Sequence, residues 1–123
     1  MMKVAITASG GDLNSPVDRV FGRARYFVIT DTEETNVEVL ENSQNVNAAQ
    51  GAGIQSARQI ANKSVDVVLT GNVGPNAFRA LEAISIRVFQ FGSDTLTVRD
   101  AVAAWKEGRL QEVKAPTAKG YVF

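Results

Sequence analysis

Glycines, side-chain amides and arginines are the residues of this chain whose types and spacing could do chemistry. The loop Gly71–Gly74 follows the apolar run Val65–Leu69 and precedes Pro75, which suits the first turn of a helix. Such a loop exposes backbone N–H groups at a helix N-terminus, where the dipole favours an anion. The alternative is that the glycines only make the turn.

Three other segments have related chemistry. The polar stretch Asn42–Gly53 is long for a loop in a compact domain, and such loops are usually functional or mobile. Turn residues at Ser9–Asp12 follow the first apolar run, and Phe21–Arg25 supplies two arginines. Together these segments offer donors for an anionic ligand.

The composition excludes several kinds of chemistry. The chain of 123 residues contains no cysteine and no histidine, which excludes disulfides, zinc fingers, a cysteine nucleophile and a histidine base. Its formal net charge of zero gives no basic excess for nucleic acid or a membrane surface. With no secretory signal or transmembrane run recognised, we expect a cytoplasmic protein, and we expect it to be a monomer.

Hydrophobic patterns predict the elements that position these loops. Three helices are expected, each with an apolar stripe, and the last begins with a capping box of Thr97 and Asp100. Five strands are expected. They are Lys3–Ala8, Tyr26–Thr30, Val37–Glu41, the run that begins at Val65, and Ile86–Phe91.

The order of these elements predicts an α/β fold. A hairpin of strands two and three followed by βαβ units gives a five-stranded mixed sheet of order 3-2-1-4-5, with strand two antiparallel and helices on both faces. The four loops then meet at one edge, where open α/β sheets bind ligands. We expect a single domain over residues 1–113 and a flexible tail at 114–123.

Several motifs in series resemble the dinitrogenase iron–molybdenum cofactor biosynthesis family, the NifX-like domains. The matching pieces are Lys3–Ile6, Phe21–Ala24 with Tyr26-Phe27, Gln50–Gly53, Gly71–Ala77 and Gly108–Leu110. The resemblance implies a ribonuclease-H-like motif. It also implies binding or carriage of a molybdenum-containing metal–sulfur cluster rather than catalysis, with a delivery or acceptor protein as a further partner.

The long loop is most similar to the branch of this family called orange protein. Members of that branch hold a molybdenum–copper sulfide cluster without covalent ligands, so the resemblance implies this cofactor or a related molybdenum–iron–sulfur cluster. Other family members often carry histidine where this chain has Val20, and where it has Gln50 or its neighbours Ala48 and Ala49. Direct metal ligation by side chains is therefore not expected here.

A cradle for such an anion would use backbone N–H groups, amides and arginine. The candidate cluster-binding residues are Gly10, Phe21, Gly22, Arg23, Asn45, Gln50, Gly51, Gly53, Gly71, Asn72, Val73 and Gly74. Arg23 is the expected charge contact; the alternative is a surface arginine paired with Asp12 or Asp18. Phe21 and Val73 could form an apolar wall, although Phe21 could equally be core.

Three other functions are alternatives to cluster binding, and the nuclease is the least favoured of them. A nuclease would need clustered carboxylates, and the first strand, Val4–Thr7, has none. A phosphate or nucleotide binder could use the same loops, although neither contains a Walker motif or a Gly-x-Gly-x-x-Gly fingerprint. A ligand-free interaction or regulatory module could use the edge strand and the tail.

Overall fold

A computed structural model describes residues 2–42, 52–92 and 96–117. The strands are β1 (Lys3–Ala8), β2 (Tyr26–Asp31), β3 (Val37–Glu41), β4 (Val67–Thr70), β5 (Arg87–Gln90) and β6 (Gln111–Glu112). The helices are α1 (Ala52–Ala61), α2 (Pro75–Ala83) and α3 (Val98–Lys106), with a 3-10 helix at Phe21–Arg23. Among the helices of these ranges, none has the length and apolar character needed to cross a bilayer.

The strands form one mixed sheet in the order β3-β2-β1-β4-β5-β6. β1, β4 and β5 are parallel, and β2 is antiparallel to both of its neighbours. The predicted order 3-2-1-4-5 is therefore confirmed. The count of five strands is extended by β6, which pairs antiparallel with β5 through Phe89 and Gln90. A strand of two residues is too short to show an alternating pattern, so the sequence did not predict it.

Burial on both faces explains the apolar runs of the central strands. Alternate side chains of a strand point to opposite faces. Ala5 and Val68 accordingly belong to the core under α1 and α2, whereas Val4 and Leu69 belong to the core under α3. The prediction of helices on both faces is confirmed.

The two ends of α3 follow the local chemistry read from the sequence. The Thr97 hydroxyl accepts from the Asp100 N–H at 3.1 Å, and the Asp100 carboxylate accepts from the Thr97 N–H at 3.1 Å. Beyond the C-terminus, Gly108 has a φ of 74°, a conformation that favours glycine. Trp105 packs edge-on against Phe89 with ring centroids 6.2 Å apart, which ties α3 to the sheet.

Candidate functional site

Two of the predicted loops meet at the carboxyl edge of the sheet. Beyond β4, Asn72 pairs in parallel with Val20. The Phe21 N–H donates to the Asn72 carbonyl at 3.0 Å, and the Asn72 N–H donates to the Arg19 carbonyl at 2.6 Å. The segment Arg19–Phe21, which leads into the 3-10 helix, is thus hydrogen-bonded directly to the glycine loop, as the predicted topology requires.

Gly71 allows this close approach. A Cβ at this position would lie 2.6 Å from the Arg19 carbonyl oxygen, a distance that Cβ atoms do not tolerate. The Gly71 carbonyl also accepts from the Gln90 side-chain amide at 2.9 Å. Backbone packing therefore accounts for glycine at this position, and its predicted contact with a cluster stays a prediction.

The glycine loop leads into a helix start without a side-chain cap. Gly74 is the N-cap of α2, with Pro75 in the first turn and no side-chain hydrogen bond at the cap. The first α-helical hydrogen bond runs from the Phe78 N–H to the Gly74 carbonyl, at 2.9 Å. The N–H groups of Asn76 and Ala77 precede it, so α2 offers them no acceptor four residues back. These groups and the helix dipole favour an anion at this point.

The N-termini of α1 and α2 lie side by side. Gly53, in the first turn of α1, is buried, and a Cβ there would lie 2.7 Å from the Cβ of Ala77. Ala77 is in the first turn of α2. Glycine thus lets the two first turns touch, which brings the positive ends of two helix dipoles together. Gly53, the last residue of the predicted long loop, therefore lies at the same end of the sheet as the glycine loop.

Asn42 fixes the start of the long loop. Its N–H donates to the Arg25 carbonyl and its side-chain amide to the Ala24 carbonyl, both at 2.8 Å. Its side-chain oxygen accepts from the Ser56 hydroxyl of α1 at 3.1 Å, and Asn42 and Ser56 are both fully buried. Sequence reasoning missed this pair. The one feature of the sequence that could have indicated it is a hydroxyl, that of Ser56, within the apolar stripe that Gly53, Ala57 and Ile60 define.

The side chains of Phe21 and Val73 face the core. Both have an exposed fraction of zero, and Phe21 packs against Phe27 with ring centroids 5.3 Å apart. The alternative reading of Phe21 as core is therefore the observed one. Neither side chain is exposed at this edge in the structure, and contact of these two residues with a cluster stays a prediction.

Of the remaining predicted site residues, the structure describes Gly10, Gly22 and Arg23. Gly22 is buried in the 3-10 helix, Arg23 ends that helix and is half-buried, and Gly10 lies in the turn after β1. Arg25 is exposed one residue beyond Ala24. Asn45, Gln50 and Gly51 lie outside the described residues. Arg25 was not among the candidate cluster-binding residues, and the cluster contacts of the other six stay predictions.

The C-terminal segment also reaches the glycine loop. The Val73 N–H donates to the Thr117 hydroxyl at 2.9 Å, and the Thr117 N–H donates to the Val73 carbonyl at 2.9 Å. Sequence reasoning assigned residues 114–123 to a flexible tail, and of these residues 118–123 lie outside the described ranges. A single threonine pairing across 44 positions leaves no periodic signal in a sequence.

Two aspartates that lie away from this edge have structural roles. Asp31 and Asp66 lie near Lys3 at the other end of the sheet: Asp31 pairs with Lys3 across β1 and β2, and Asp66 accepts from the Lys3 N–H at 2.9 Å. Hydrogen bonds from the Thr35 hydroxyl and from turn N–H groups lower the pKa of Asp31 to about 2. Among the described residues, no three acidic groups gather as a metal site would require.

Comparisons with known proteins agree with this architecture. The chain is similar to the apo orange protein of Desulfovibrio gigas, with 39% identity, a TM-score of 0.90, and coverage of 96% of this chain and 98% of that one. A Thermotoga protein of the DUF35 family has 42% identity and a TM-score of 0.82, with the same coverage. An uncharacterised protein of Methanocaldococcus jannaschii is 29% identical over 115 residues, 91% of this chain and 92% of that protein. The sequence profile described as dinitrogenase iron-molybdenum cofactor matches residues 2–108, and the chain belongs to this family.

Proposed function

We propose that this chain is a non-catalytic binding or carrier protein for a preformed, anionic, molybdenum-containing metal–sulfide cluster. The observation that carries the proposal is the contact between the first turns of α1 and α2 at Gly53 and Ala77. Two helix N-termini at one point concentrate positive potential, together with N–H groups that have no partner within their own helix, where an anion would sit. Family membership and similarity to the orange protein support a metal–sulfur cluster as that anion.

The absence of cysteine and histidine from the sequence fits such a cargo. A thiomolybdate-type cluster supplies sulfide to its own metals, so the protein need not supply a soft ligand. Carboxylate oxygens suit soft metals poorly and would repel an anion. What the protein can contribute is a cradle of N–H groups together with Arg23, through charge-assisted hydrogen bonds.

We propose molybdenum–copper sulfide as the cluster type, with a molybdenum–iron–sulfur cluster as the related option. Similarity to the orange protein supports the former, and the family description supports the latter. A carrier also needs a protein that delivers or accepts the cluster, and we propose such a protein as a partner.

A phosphate or nucleotide is the second candidate ligand, because the uncapped start of α2 at Gly74 favours any anion. Colour separates the two candidates. A metal–sulfide cluster absorbs visible light, and a nucleotide does not.

The test is assembly from components without air. Apo protein is mixed with tetrathiomolybdate and a copper(I) salt, passed through gel filtration, and measured for visible absorption and for metals per protein. We expect a coloured complex that elutes with the protein and contains molybdenum and copper in a fixed ratio. Colourless protein that instead retains ATP or inorganic phosphate would favour the second candidate and refute the cluster proposal.

A further inference from the structure

The glycine loop is held from both sides. On one side, Asn72 uses its N–H and its carbonyl to bond the segment Arg19–Phe21. On the other side, Val73 uses its N–H and its carbonyl to bond Thr117. Successive peptide groups of an extended chain point in opposite directions, so these bonds hold the loop as a short strand between two neighbours.

The two sides differ in how firmly they are attached. Phe21 is fully buried, so the segment on its side is fixed by the core. Lys114–Thr117 is exposed throughout. Upstream it is anchored by the buried Val113, whose N–H donates to the Val88 carbonyl at 2.8 Å, and by an ion pair at 3.3 Å between the exposed Lys114 and the partly buried Glu112. Segments with few buried apolar contacts open at low free-energy cost. The hold from Thr117 is therefore the one that can be released without unfolding the domain.

The bonded loop leads directly into the anion-favouring helix start. Val73 precedes Gly74, the N-cap of α2, so the position of Val73 sets the direction in which the first N–H groups of α2 point. We propose that Lys114–Thr117 is a strap in which Thr117 acts as a positioning residue, holding the glycine loop in the form that receives the anionic ligand. This inference rests on the proposed function and adds to it a control point outside the candidate site residues.

The experiment compares Thr117→Val with Thr117→Ser. Valine keeps the shape and the backbone N–H but loses the hydroxyl acceptor, whereas serine keeps the hydroxyl. Thr32→Val makes the same chemical change in the turn after β2, at the opposite end of the sheet, and serves as the control. The readouts are amide hydrogen exchange of Val73 in ligand-free protein and the affinity for tetrathiomolybdate measured by visible titration.

A net hydrogen bond contributes roughly a two- to tenfold effect on an equilibrium. We expect Thr117→Val to speed Val73 exchange and to weaken tetrathiomolybdate binding, each by about this factor. Thr117→Ser should restore both values toward those of the wild type, and Thr32→Val should change neither.

Three results would count against the strap. Unchanged affinity in Thr117→Val, with or without faster Val73 exchange, would overturn the inference while leaving the proposed function standing. Tighter binding in Thr117→Val would also overturn it, because it would mean that the hydroxyl competes with the ligand. Failure of every protein, wild type included, to bind tetrathiomolybdate would refute the proposed function and the inference with it.

Discussion

Asn76→Asp should make the protein more stable and its ligand affinity weaker. Asn76 is exposed in the first turn of α2, beside the contact between the two helix N-termini. An acidic side chain in a first turn stabilises a helix by about 0.3–1 kcal/mol. The same charge would lie on the order of 5 Å from an anion held at this helix start, where repulsion of unit charges is about 1 kcal/mol in water and about 3 kcal/mol at an effective dielectric constant of 20.

Because Asn76 is exposed, the lower part of that range applies. A penalty of about 1–2 kcal/mol corresponds to a roughly five- to thirtyfold loss of affinity. Asn62→Asp is the matched control, since Asn62 is exposed just beyond the C-terminal end of α1 and undergoes the same chemical change. There the helix dipole disfavours the new charge, so this variant should lose stability and keep its affinity.

The assay pairs thermal unfolding of apo protein with visible titration by tetrathiomolybdate, at low and at high salt. We expect the affinity gap between Asn76→Asp and wild type to narrow as salt is added, because salt screens exposed charges. The reasoning is refuted if Asn76→Asp binds as tightly as wild type while its Tm rises as expected. That combination would mean that the anion lies away from the start of α2.

Three further predictions concern the arginine, the glycine loop and acid stability. Arg23→Ala should weaken cluster binding roughly ten- to a hundredfold through loss of a charge-assisted hydrogen bond, with Arg58→Ala on the outer face of α1 as the unaffected control in the same titration. Gly71→Ala should lower the free energy of unfolding by about 1–3 kcal/mol in urea because its methyl group meets backbone, whereas Gly92→Ala, with no atom within 4 Å of the added Cβ, should not. The pKa of Asp31 falls from 3.8 to about 2 on folding, so the stability that its carboxylate contributes is complete above about pH 4 and is lost as the pH falls toward 2. Asp31→Asn should therefore be less stable than wild type at pH 7. In acid titrations of unfolding it should also lose less stability than wild type between pH 4 and pH 2.

Each of these has a clear contrary outcome. Equal cluster affinity in Arg23→Ala and Arg58→Ala would remove Arg23 from the cradle. Equal urea midpoints for the two glycine variants would show that the loop yields to a methyl group without cost. An acid-unfolding profile of Asp31→Asn parallel to wild type between pH 4 and 2 would show that Asp31 is not the titrating group.

Much of the fold could be predicted because its signals are local. The apolar runs of β1 and β4 reflect burial on both faces, and the order of elements with right-handed crossovers leaves few sheets to choose from. Thr97 and Asp100 formed the expected capping box because all of its chemistry lies within four residues. Gln111–Glu112 was missed because a strand that short is defined by its partner in β5 and not by its own pattern.

The site was harder to predict, since its parts are fixed by contacts between distant residues. Gly53 and Gly71 were among the predicted site residues, but the sequence could not show why glycine is required there. Ala77 approaches Gly53 closely, and the Arg19 carbonyl approaches Gly71. The bonds between Val73 and Thr117 depend on tertiary geometry alone, whereas the pairing of Asn42 with Ser56 had one local signal, a hydroxyl in the apolar stripe of α1. Val73 was considered as part of an apolar wall; its burial follows from alternation along the extended loop, which turns its side chain into the core.

The most direct test of the central claim is a map of backbone amide chemical shifts with and without the cluster assembled from tetrathiomolybdate and copper. The account predicts that the largest changes fall on the first turns of α1 and α2, at Gly53, Gly74, Asn76 and Ala77. The amides of the turn after β2, around Thr32 and Glu33, should not change. Largest changes at that turn or along β3, with the first turns of α1 and α2 unaffected, would contradict it.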